Sequence, residues 1–136
     1  MMNYWLVKSE PVKYSWEQFE KDGRTCWDGV RNFQARNNLQ GMRNGDLVLY
    51  YHSNEGKEVV GVAKVVREAY PDPTAGDPAW VVVDLAPESR FTRPVTLTQI
   101  KNHATLQHIG LLRQSRLSVM PLRPEEFDVI VGLGMG

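Results

Sequence analysis

One cysteine, Cys26, stands among 136 residues. A lone thiol forms no internal disulfide and supplies no cysteine-based metal site, so a reducing compartment is expected. Histidine is scarce as well: His52, His103 and His108 show no metal-ligand spacing, and the last two, five apart, fall on different faces of any helix. Neither a metal nor another cofactor is expected. Charge of one sign is missing, because 16 Lys and Arg balance 16 Asp and Glu. That balance removes any general attraction to polyanions, so a nucleic-acid contact has to use locally clustered basic residues. No apolar run reaches the length of a membrane span, and Met1 to Glu10 carry neither a basic leader nor a signal-like hydrophobic core. The expectation is a cytoplasmic protein with no membrane partner. A Gly-rich phosphate loop and a glycine-flanked serine elbow are also missing. His52 beside Ser53 makes no nucleophile–base pair, since strand neighbours point to opposite faces. A non-catalytic protein is therefore expected.

What is present reads as one α+β domain over residues 1–136, with 42% hydrophobic and 10% aromatic content to build its core. Tyr4 to Ser9 is a short aromatic and apolar run before Pro11 and reads as a strand that delivers Lys8, Ser9 and Glu10 at its end. Ser15 and Gln18 at capping-box spacing start a helix from Trp16 to about Asp22, closed by Gly23. Asp46 to Ser53, Val59 to Val66 and Trp80 to Leu85 read as the strands of a sheet, and the proline-rich stretch Pro71 to Pro78 as a surface loop. Thr96 with Gln99, flanked by Val95 and Ile100, predicts a helix through Asn102. Pro124, Glu125 and Glu126 start another, which Gly132 is expected to end. Strands interleaved irregularly with short helices point to a closed or half-closed mixed β-barrel rather than a regular βαβ sheet.

Three segments carry candidate chemistry. In Trp27 to Arg36, two arginines and two amides surround a helix start at Asn32. An exposed helix N-terminus with arginines nearby holds anions, but Asn32 as a simple cap, with Phe33 and Leu39 facing the core, explains the pattern too. In Tyr50-Tyr51-His52-Ser53, Tyr51 and Ser53 share one strand face and Tyr50 and His52 the other; such groups at a strand end stack on and hydrogen-bond a base, or finish a barrel rim. In Leu111 to Pro121 the tetrad Arg113-Gln114-Ser115-Arg116 interrupts apolar sequence. Four such side chains are costly there unless they line a cavity or form an exposed turn before the Ser118 to Pro121 strand.

Taken together, Trp5 to Pro11, Trp27 to Asn32 with Ala35-Arg36, Tyr51-His52-Ser53, Pro94-Val95 and Arg113 to Ser118 resemble the EVE domain family, which includes the thymocyte nuclear protein group. The resemblance spans nearly the whole chain. It implies a PUA-like mixed β-barrel with short flanking helices, related to the YTH and ASCH domains. It also implies a reader of modified bases in nucleic acid, notably methylated or hydroxymethylated cytosine. The implied pocket draws on Lys8, Ser9, Trp27, Arg31, Asn32, Arg36, Tyr51, His52, Ser53, Arg113, Gln114, Ser115 and Arg116. A flipped or unpaired base would stack on Trp27 or Tyr51 and be read at its edge by Ser9, Ser53 or Asn32, with Arg31, Arg36, Arg113 and Arg116 on the phosphates. Two alternatives stay open. One is a sensor of a free nucleotide or anionic metabolite. The other is a small hydrolase acting on a modified nucleoside through Lys8, Ser9 and Glu10, three residue types found in amidohydrolase-like ASCH relatives; alternation along the strand argues against their convergence.

Overall fold

The structure is a computed structural model, described here for residues 2–136. Strand β1 (Tyr4–Ser9) leads into helix α1 (Trp16–Asp22), which is capped as the sequence dictates: the Ser15 side chain accepts from the Gln18 N–H, and Gly23 leaves the helix at φ 71°. A two-residue strand β2 (Thr25–Cys26) precedes α2 (Phe33–Gly41), whose Asn32 cap accepts from the Ala35 N–H. β3 (Leu47–His52), β4 (Glu58–Pro71) and β5 (Val81–Thr96) follow. α3 (Leu97–Lys101), closed at its start by the Thr96–Gln99 capping box, then α4 (Gly110–Arg113), β6 (Val119–Leu122) and α5 (Pro124–Met135) complete the chain.

The six strands form one mixed sheet in the order β2-β5-β4-β3-β1-β6, with β1 and β3 parallel and every other neighbouring pair antiparallel. The expected barrel is not closed: β2 and β6 end the ladder. β2 is too short to extend it, and α2 packs against both β5 and β6. There the Asn38 side-chain amide donates to the Val119 carbonyl at 2.7 Å, satisfying β6 in place of a neighbouring strand. β4 and β5 run well past their expected ends. Register shifts along the pair interrupt the ladder near Pro87 and Pro94, which is how a long strand tolerates prolines and bends. The proline-rich loop is correspondingly shorter than expected, because Pro71 still pairs with Val81.

One hydrophobic core lies against the sheet. α1 lays Trp16 and Phe19 on Tyr50 of β3, with ring centroids 5.2–5.4 Å apart. Gly61 of β4 is what admits the Trp16 indole: a Cβ there would sit 2.6 Å from two of its ring carbons. α5 continues past Gly132, because Gly134 lets its last turn lie on Phe91 of β5. Among the described residues no helix is long and apolar enough to cross a membrane.

Candidate functional site

The parallel strands β1 and β3 end side by side, with Ser9 opposite His52, and the chain continues over that end in two loops. Beside them opens a cavity of about 620 Å³, within the range of small-ligand sites. Its walls come from four places: Lys8, Ser9 and Glu10 at the end of β1, with Lys13 and Tyr14 beyond; Thr25 to Arg31; Ser53 and Asn54 after β3; and Ser115 with Ser118 before β6. The aromatic wall is Trp27, buried and held edge-on against Tyr14 at 6.4 Å and Tyr50 at 5.5 Å.

Backbone and side-chain hydrogen bonds fix these walls. The Trp27 N–H donates to the Val83 carbonyl at 2.8 Å, continuing the sheet by one residue. Gly29, at φ 79°, donates its N–H to Asp72, as does Arg31 through its guanidinium at 2.9 Å. Asp72, almost fully buried in the proline-rich loop, accepts as well from the N–H and hydroxyl of Thr74. Burial alone would raise its pKa. The donors from Thr74, Arg31 and Gly29 override that and hold the carboxyl well below the usual carboxylate range. The Lys8 ammonium donates to the Ser115 carbonyl at 2.9 Å, tying the tetrad to β1, and burial lowers its pKa. The Ser9 hydroxyl donates to the Tyr14 carbonyl at 2.7 Å, and Tyr50 donates to the same oxygen at 2.8 Å. Burial, together with the carboxylate of Asp22, pushes the Tyr14 phenol up to about 12.

A second, polar hollow of about 370 Å³ adjoins the first and shares Ser115 with it. Asn32, Gln34, Arg113, Gln114, Arg116 and Leu117 make up the rest of its lining. Arg113 is engaged with the Gln107 carbonyl and His108. Among the described residues Arg116 has no hydrogen-bond or ion-pair partner.

Of the thirteen candidates, the first cavity gathers Lys8, Ser9, Trp27, Arg31, Ser53 and Ser115, and the second gathers Asn32, Arg113, Gln114 and Arg116 with Ser115 again. The remaining three lie elsewhere. Tyr51 is buried in the core and lines neither cavity. His52, also buried, accepts the Trp16 N–H on Nε2 at 3.1 Å, and burial lowers its pKa. Arg36 lies over the Phe33 ring and donates to the Ala79 carbonyl. Asn32 caps α2, the simpler of its two readings, and Arg31 is committed to Asp72. Phe33 departs from expectation: it is 63% exposed, stacked on Trp80, while Leu39 alone of the pair is buried. Sequence reasoning missed Tyr14, whose signal was an aromatic in the loop directly after the Lys8–Glu10 strand end, and Asp28, which lay inside a flagged motif. Strand alternation argued against Lys8, Ser9 and Glu10 coming together easily; all three line the first cavity, because the strand ends at Ser9 and the chain turns there. Among the described residues no three His, Cys, Asp or Glu side chains come together to hold a metal.

The sequence profile of the EVE domain matches residues 3–133. The chain belongs to the EVE domain family. Within it, mouse thymocyte nuclear protein 1 is 36% identical over 98% of this chain and 74% of its own length. The crystal structure of protein Atu2648 from Agrobacterium tumefaciens superposes with a TM-score of 0.95 at 44% identity, covering 97% of this chain and 92% of that one. The crystal structure of the human THYN1 protein in complex with 5-methylcytosine-containing DNA superposes with a TM-score of 0.91 at 34% identity, covering 98% of each chain. A yeast YTH domain, from Zygosaccharomyces rouxii MRB1, in complex with N6-methyladenosine RNA shares the fold at a TM-score of 0.62 and 16% identity, covering 98% of this chain and 87% of that one. That last likeness bears on the fold alone.

Proposed function

We propose that this EVE domain is a PUA-like, non-catalytic module that binds nucleic acid by taking a modified base, such as methylated or hydroxymethylated cytosine, into the cavity beside Trp27. The carrying observation is the family relative of known complex, human THYN1 with 5-methylcytosine-containing DNA, matched over nearly the whole chain. The geometry supports the same reading: the cavity joins one aromatic wall to several hydrogen-bonding groups, which is what an extruded base requires. Stacking falls to Trp27, which lines the cavity while Tyr51 does not. Edge contacts fall to Ser9 and Ser53, which line this cavity, whereas Asn32 lines the adjoining hollow. The Ser9 hydroxyl hydrogen is engaged by the Tyr14 carbonyl, so Ser9 meets a ligand as an acceptor. Phosphates fall to Arg116 and Arg113 in the adjoining hollow, since Arg31 is neutralised by Asp72 and Arg36 is turned to α2 and Ala79.

The placement of Lys8, Ser9 and Glu10 on one cavity gives the hydrolase reading one observation in its favour. Their partners count against it. Ser9 donates to a carbonyl rather than to a base, Lys8 holds the Ser115 carbonyl, and Glu10 pairs with Lys13 at 3.7 Å, so no nucleophile is activated.

The test is a titration of matched single- and double-stranded oligonucleotides, with and without methylated or hydroxymethylated cytosine, at two salt concentrations. Binding that depends on the modification is expected. Tight binding of a free nucleotide without oligonucleotide affinity, or turnover of an acylated cytidine, would overturn the proposal.

A further inference from the structure

We propose that Asp28 makes the cavity selective for a base carrying an exocyclic amine, by accepting a hydrogen bond from that amine and so separating 5-methylcytosine from thymine. The inference rests on the base-reading function above. Thymine carries the same C5 methyl group as 5-methylcytosine, so apolar contact with the methyl cannot tell them apart. They differ at position 4, where cytosine offers an N–H donor and thymine a carbonyl acceptor; a carboxylate suits the first and repels the second.

Two carboxylates border the cavity, Glu10 and Asp28. Glu10 is taken by Lys13 at 3.7 Å. Among the described residues the Asp28 carboxylate accepts no hydrogen bond and joins no ion pair, although Lys8 and Lys13 line the same cavity. Asp28 is solvent-exposed where it borders the cavity, so its carboxylate is open to a ligand there. A free carboxylate in a nucleic-acid reader opposes phosphate, so it lowers nonspecific affinity unless a specific contact offsets the repulsion.

The backbone that presents Asp28 is fixed on both sides. Trp27 is buried and its N–H is bonded to the Val83 carbonyl; the Asp28 N–H donates to the Cys26 carbonyl at 3.1 Å; Gly29 is held by Asp72 at 3.0 Å. An acceptor on a rigid segment directly after the aromatic wall is preorganised for a base stacked on that wall.

The test measures affinity for otherwise identical oligonucleotides carrying 5-methylcytosine, cytosine or thymine at one position, as single strands and opposite guanine. Wild type, Asp28→Asn and Asp28→Ala are compared. Wild type is expected to prefer 5-methylcytosine over thymine by about tenfold or more. Asp28→Ala loses most of that preference by weakening 5-methylcytosine. Asp28→Asn moves the ratio towards one by strengthening thymine, because its amide can donate to the thymine carbonyl. Unfolding midpoints of both variants stay at the wild-type value, as no partner is lost. A wild type that binds 5-methylcytosine but ignores the change to thymine, or an unchanged ratio in Asp28→Asn, overturns this inference alone. A wild type that binds none of the oligonucleotides overturns the base-reading proposal and this inference with it.

Discussion

Replacing Asp72 with alanine removes the latch between the proline-rich loop and the cavity wall. Four donors converge on this carboxylate: the N–H of Gly29 at 3.0 Å, the Arg31 guanidinium at 2.9 Å, and the N–H and hydroxyl of Thr74 at 2.7 Å each. At about 1 kcal/mol net for each ordinary hydrogen bond, the sum is about 4 kcal/mol. Gly29, Thr74 and half-exposed Arg31 lie where water can replace their lost partner, and alanine no longer has to desolvate a charge; the expected loss is about 2 kcal/mol. For a chain of this length that lowers the thermal midpoint by roughly 8 °C. The pH dependence has a definite sign. A carboxyl whose pKa is lower in the folded state contributes stability above its unfolded value of about 3.9, and loses it as pH falls towards the folded value. The gap between wild type and Asp72→Ala should therefore be constant from neutrality down to about pH 5 and shrink below about pH 4. Thermal unfolding followed by circular dichroism at several pH values reads both quantities. A midpoint within 2 °C of wild type at pH 7, roughly a quarter of the expected shift, would refute the latch.

Other outcomes follow from the same structure. Gly61→Ala drives a methyl group into Trp16 and the Ser89 carbonyl, and costs about 1–3 kcal/mol in urea unfolding. His52 is buried with Nε2 accepting from Trp16, so its pKa is lower in the folded state; stability falls as pH drops below about 6.5, and His52→Gln should flatten that slope between pH 7 and 5. Arg116→Ala should reduce the salt dependence of DNA binding by about one phosphate contact with no change in unfolding midpoint. Arg31→Ala should do the reverse, lowering stability and leaving the salt slope intact, because its charge is spent on Asp72.

The parts of the fold written in local chemistry were legible. Ser15, Thr96 and Pro124 each begin a helix where their capping or first-turn chemistry requires, and the aromatic run of β1 is a strand. What was not legible depends on distant partners. β4 and β5 lengthen each other past Pro87 and Pro94, residues that disfavour a strand until register shifts accommodate them. β2 is two residues long and exists only because Leu85 and Asp84 lie opposite. The candidate site divides in the same way. Trp27, the Lys8–Ser9 strand end and the tetrad were recognisable as polar or aromatic residues out of place. The inward turn of Tyr51 and His52 and the capture of Arg31 by an aspartate 41 positions away were not, because burial and long-range pairing decide them.

The most direct test of the central claim is competition binding of a duplex with one 5-methylcytosine against its unmodified twin, for wild type and for Trp27→Phe and Trp27→Ala. Wild type is expected to prefer the methylated duplex, a preference weakened by phenylalanine and abolished by alanine beyond any loss of general affinity. Equal affinity of wild type for the two duplexes, or a preference that survives Trp27→Ala, would contradict the claim.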